Sequence, residues 1–117
     1  MVLDLDRMAA RTGLEREDVV ELLEVFLTSA PLAATNLEQA MGNGDFAVAA
    51  RAAHTVKGSA ATVGLTDVAE VAGELERRLR VCAGGEEGAN DDGLDARVQA
   101  LHNCLTRVRD AYEETFP

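Results

Sequence analysis

An all-α fold, an antiparallel up-and-down four-helix bundle with a short N-terminal capping helix, follows from three features of this 117-residue sequence. Apolar residues recur at intervals of three and four over four long stretches, the spacing that places them on one face of a helix. Alanine is abundant, with 20 residues, against three Phe, one Tyr and no Trp, so the core is expected from aliphatic side chains on closely approaching backbones. No stretch alternates as a strand does, no internal repeat is evident, and mostly short connections suit antiparallel neighbours.

The first helix is expected over about 4–11 and ends at Thr12-Gly13, where glycine can take the left-handed conformation that closes helices. A second follows over about 15–41, with Val19, Leu23, Phe26, Ala30, Ala34, Leu37 and Met41 on its apolar face. Pro31 lacks an amide hydrogen and crowds the preceding turn, but the stripe keeps its phase across it, so a kink near 27–30 is expected and not a break. Gly42-Asn43-Gly44 breaks this helix, and Asp45 offers a capping oxygen to the third, about 45–63. Its face is Phe46, Ala49, Ala50, Ala53, Val56, Ala60 and Val63, closed by Gly64.

Thr66 or Asp67 can cap a fourth helix over about 66–82, with the stripe Val68, Ala72, Leu75, Leu79 and Cys82. Arg77, Arg78 and Arg80 suit its C-terminal end, where the helix dipole is negative. Residues 83–93 hold four glycines, four acids and an asparagine, the composition of a flexible acidic loop. The last helix, about 94–115, carries Leu94, Val98, Leu101, Leu105, Val108 and Tyr112. The whole chain, 1–117, reads as a single domain, and four stripes that satisfy one another predict a monomer.

A net charge of −10 argues against nucleic acid, which demands several phosphate-neutralising cations. No apolar run approaches the roughly 20 residues that span a bilayer, and the N-terminus lacks a basic start with an apolar stretch, so no membrane association and a cytoplasmic location are expected. Cys82 and Cys104 stand 22 positions apart without a Cys-x-x-Cys spacing and read as reduced thiols. His102 and Cys104, two positions apart on a helix, point in different directions and do not make a metal pair.

The only lysine, Lys57, stands three places after His54, one of two histidines, and Gly58 follows it inside an expected helix. Helical phasing puts His54 on the flank of the third helix, exposed to solvent, with Lys57 at the margin and Gly58 one turn on. A helical histidine on such a face most often only solvates it. The glycine shifts that balance, because Gly in mid-helix costs about 1 kcal/mol relative to the Ala this chain uses freely. Phosphoryl transfer onto an imidazole unites the three. A neutral ring nitrogen can attack an activated phosphoryl group, a cation one turn away can offset its charge, and a missing β-carbon lets another protein approach the backbone. Ser59 can bond back to the carbonyl four residues earlier or support the site.

The stretch resembles the signature of histidine-containing phosphotransfer (HPt) domains: His, any residue, an aliphatic, Lys, Gly, Ser or Ala, and a Gly ten places after the His. It is met by His54, Val56, Lys57, Gly58, Ser59 and Gly64, with Val56 where Leu is commoner. Phe26, Pro31, Gly44-Asp45, Ala53 and Leu75-Glu76 are also similar, and the pattern covers about residues 15–82. The resemblance implies that His54 accepts a phosphoryl group from the aspartyl phosphate of a response-regulator receiver domain, such as that of a hybrid histidine kinase, and passes it to another. Lys57 would stabilise the phosphorylated state, Gly58 would allow docking, and Ser59 would support the local geometry. Mg2+ would belong to the receiver, and no cofactor is expected on this chain.

Rival readings are weaker. The phosphoacceptor region of a sensor kinase usually has an acid directly after the histidine and a proline soon after, where this chain has Thr55 and Lys57-Gly58. No Gly-x-x-x-x-Gly-Lys-Ser/Thr motif is present, so autonomous kinase or ATPase activity is not expected. A hydrolase centred on Ser59 lacks a base and orienting acid beyond His54. The alternative from another class is a non-catalytic helical adaptor binding a signalling partner.

Overall fold

The computed structural model describes residues 3–85 and 92–117, and the expected acidic loop falls largely on 86–91, outside the described residues. Among the described residues five helices follow one another: α1 (Leu5–Thr12), α2 (Arg16–Gly42), α3 (Phe46–Val63), α4 (Thr66–Ala83) and α5 (Asp92–Thr115). Helices α2 to α5 form a closed ring in which each packs on its two neighbours, and α1 lies against α2 and α3. Their antiparallel course is visible in the polar contacts between α5 and α2. His102 pairs with Glu38, Arg109 Nη2 donates to the Leu27 carbonyl at 3.2 Å, and the Tyr112 hydroxyl donates to Glu24 at 3.0 Å. As α5 ascends, its partners descend α2.

The Leu27 contact explains how α2 tolerates proline. In an unbroken helix the Leu27 carbonyl accepts from the amide of residue 31, which Pro31 lacks. The Arg109 guanidinium supplies that donor from α5. As expected, the helix is not broken there, and α2 runs as one element through Pro31.

Three expected caps are present. Gly13 and Gly64 end their helices at φ +74° and +84°, a region costly for any residue with a Cβ. Asp45 accepts the Val48 amide at the start of α3. The turn at Gly64 is held further by α1, whose Arg11 donates to the Gly64 carbonyl and to the Thr66 hydroxyl at 3.2 Å. That engagement corrects one expectation. Neither Thr66 nor Asp67 caps α4; its N-cap is Leu65, without a side-chain bond, because the turn draws Leu65 into the core.

The core is aliphatic as expected, with Phe26 the one ring among its largest fully buried side chains. Stripe positions differ at helix ends. Ala40 is buried where Met41 was expected, and Phe46 and Cys82 are only half-buried, since the terminal turns of a bundle are open on one side. On α5, Cys104 and Ala111 join the buried face, and Tyr112 sits half-buried at its edge. Helix α5 is described from Asp92, two positions before the expected start near 94. Neither Cys82 nor Cys104 is in a disulfide. No helix among the described residues is long and apolar enough to cross a membrane.

Candidate functional site

The α3–α4 packing builds the site. Helix α3 buries Ala49, Ala50, Ala53, Val56, Ala60 and Val63, which leaves His54 on the flank with its side chain 63% exposed. Facing it, α4 buries Val68, Ala72, Leu75 and Leu79 and, within the same stripe, Glu76. Small residues along the seam, with Ala53, Ala60 and Ala72 fully buried, let the two backbones approach, and the Glu76 carboxylate crosses to α3.

There it meets three cationic or proton-donating groups. His54 Nδ1 stands 3.2 Å from both Glu76 oxygens, and Lys57 Nζ stands 3.6 Å from Oε1. Arg80, one turn along α4, places Nε at 2.9 Å and Nη2 at 2.7 Å from Oε2. Burial by itself works to raise the carboxyl's pKa. Hydrogen bonds from Arg80 and His54, with the charges of His54 and Lys57, outweigh it and hold Glu76 below its ordinary value. An ionised carboxylate only accepts hydrogen bonds, so Nδ1 carries the hydrogen and donates it. In the neutral ring, Nε2 is then left with the lone pair.

The remaining expected residues fall around this centre. Lys57 is half-exposed, and its stem lies over Gly73 of α4, where a Cβ would stand 3.4 Å from Lys57 Cδ. At Gly58 a Cβ would meet nothing within 4 Å, so the fold itself does not demand a glycine there. Ser59 lines the site's edge half-buried and makes no back-bond; Thr55 and Thr62 make that bond instead, to Arg51 and Gly58. His54, Gly58, Ser59 and Thr62 form one wall of a groove of about 420 Å³ whose other wall is Leu22, Val25 and Ser29 of α2, with Phe26 and Val63 also lining it. Val25 is 62% exposed.

His102 pairs with Glu38 away from this centre. Among the described residues no group of three or more His, Cys, Asp or Glu side chains is placed to hold a metal. Glu76 and Arg80 are the residues that reading the sequence for a site passed over. Their signal was present: an acid four places after Ala72 and three before Leu79 stands inside an apolar stripe, with an arginine one turn on.

The Hpt domain family's profile matches residues 21–111 of the chain. The chemotaxis protein CheA of Bacillus subtilis (strain 168) is 41% identical over 59 residues, a stretch that covers 50% of this chain and 9% of that protein. No solved structure gives a significant match. With an all-helical bundle, an exposed histidine on its third helix and a family match over most of its length, the chain belongs to the Hpt domain family, whose members carry phosphotransfer in two-component and phosphorelay signalling.

Proposed function

We propose that His54 is the phosphoacceptor and that the chain relays a phosphoryl group between receiver domains, taking it from the aspartyl phosphate of one and handing it to another. The observation that carries this reading is the His54–Glu76 contact. A buried, ionised carboxylate holds Nδ1–H, which directs the lone pair of Nε2 outward on a side chain open to a partner.

In the forward step the Nε2 lone pair attacks phosphorus and an N–P bond forms. The P–O bond to the aspartyl carboxylate breaks, and that carboxylate leaves with the electron pair. The ring gains positive charge while keeping its Nδ1 hydrogen, and Glu76 offsets that charge. Lys57, the nearest flexible ammonium, meets the phosphoryl oxygens. Transfer to the acceptor is the same step reversed, with an acceptor carboxylate attacking. The α2–α3 groove beside Gly58 supplies an apolar surface on which a receiver can seat next to His54. Magnesium stays with the receiver, and the chain acts as a monomer.

The test is to incubate the chain with receiver domains phosphorylated by labelled acetyl phosphate and to measure acid-labile, base-stable label. Label is expected on wild type and absent from His54→Gln. Label that persists in His54→Gln overturns the assignment, and partner binding without any label supports a non-catalytic adaptor instead.

A further inference from the structure

We propose that Arg80 is a positioning residue for phosphoryl transfer: as the fixed counter-ion of Glu76 it orients His54 and leaves Lys57 free to turn to the incoming phosphoryl group. This rests on the reading of His54 as phosphoacceptor and adds a division of labour between the two cations that share Glu76.

The two cations are bound unequally. Arg80 grips one oxygen, Oε2, with two N–H groups at 2.9 and 2.7 Å, and it does so from the next turn of the same helix, so α4 itself sets the geometry. Lys57 comes from α3 and stops 3.6 Å from Oε1, beyond a hydrogen bond. Glu76 has a side chain only 10% exposed, and a buried carboxylate cannot be left without a cationic partner. Were Lys57 its only cation, movement of the ammonium toward a phosphoryl group on Nε2 would strand that charge. With Arg80 in place, Glu76 remains paired and Nδ1 remains held. The Arg80 side chain is itself 55% exposed, so its removal takes little from the core.

Phosphoramidate tests this without a docking partner. Its P–N bond breaks, the N–P bond to Nε2 forms, and the departing nitrogen takes a proton and leaves as ammonia. The full chain is compared as wild type, Arg80→Met, Arg80→Lys, Glu76→Gln and the double variant Glu76→Gln/Arg80→Met. Arg80→Met is expected to slow labelling at saturating donor by about tenfold or more, the scale of losing a hydrogen bond to a charged group, with Arg80→Lys restoring much of the rate. Added to Glu76→Gln, Arg80→Met is expected to change the rate by less than about twofold, because it acts through Glu76. Nitrogen-15 spectra of His54 are expected to show the Nδ1–H tautomer in wild type and a tautomer mixture in Arg80→Met. If Arg80→Met does not fold, Arg80→Gln carries the same measurements.

A wild-type tautomer pattern in Arg80→Met overturns the inference, as does a full additional loss in the double variant. A wild-type chain that takes no label removes the phosphoacceptor reading instead, and the tautomer spectra then judge Arg80 separately.

Discussion

Around the His54 imidazole, single atoms carry separate consequences for pH and for docking. Glu76 has a folded pKa below its ordinary value, so the unfolded chain takes up its proton first as pH falls. The stability it contributes is present above about pH 4.3 and is lost as pH drops through the folded value. Urea midpoints of wild type and Glu76→Gln should therefore differ at neutral pH and draw together below about pH 4. A gap that stays constant across that range would show that the ionic partners contribute nothing. At Gly58 the two roles of a glycine separate. Since a Cβ there meets nothing within 4 Å among the described residues, Gly58→Ala should raise stability by about 1 kcal/mol in thermal or urea unfolding. Gly58→Phe should leave labelling by phosphoramidate near wild type and slow exchange with a receiver by about ten- to a hundredfold. Equal slowing with both donors would place the glycine's role inside the domain.

Helix α2 shows how an element survives a residue that its own local rules disfavour. The stripe from Val19 to Leu37 was legible because its phase depends only on helical pitch, and so was the position of Pro31. The repair was not legible, since the donor to the Leu27 carbonyl comes from Arg109, far along the chain on α5. A double-mutant cycle tests it. Arg109→Met should cost about 0.5–1.5 kcal/mol in wild type and close to nothing in a Pro31→Ala background, where the restored amide bonds Leu27 within the helix. An equal cost in both backgrounds would mean that Arg109 stabilises the bundle by some other contact. The ends of elements were the least readable part of the sequence. The α4 cap passed to Leu65, because a terminal turn is decided by what packs on it and not by periodicity.

For the whole molecule, the governing fact is a closed ring of four helices whose contact seam at the site is lined with alanine. Ala60 is fully buried between α3 and its neighbours, so Ala60→Leu should overpack the seam and cost about 1–3 kcal/mol in unfolding measurements. Because the same seam sets the reach from Glu76 to His54, that variant should also slow phosphoramidate labelling; an unchanged rate would show the site to be insensitive to helix spacing. By itself the sequence determined the four apolar stripes, the caps at Gly13, Asp45 and Gly64, and an exposed His54 one turn before Lys57. These are consequences of helical pitch and of local backbone chemistry, which neighbouring residues are enough to set. Only the tertiary structure decided that Glu76 meets both His54 and Arg80 and that Lys57 lies over Gly73. Those contacts depend on the separation and register of two helices, and the packed volume of both, summed across the seam, is what sets them.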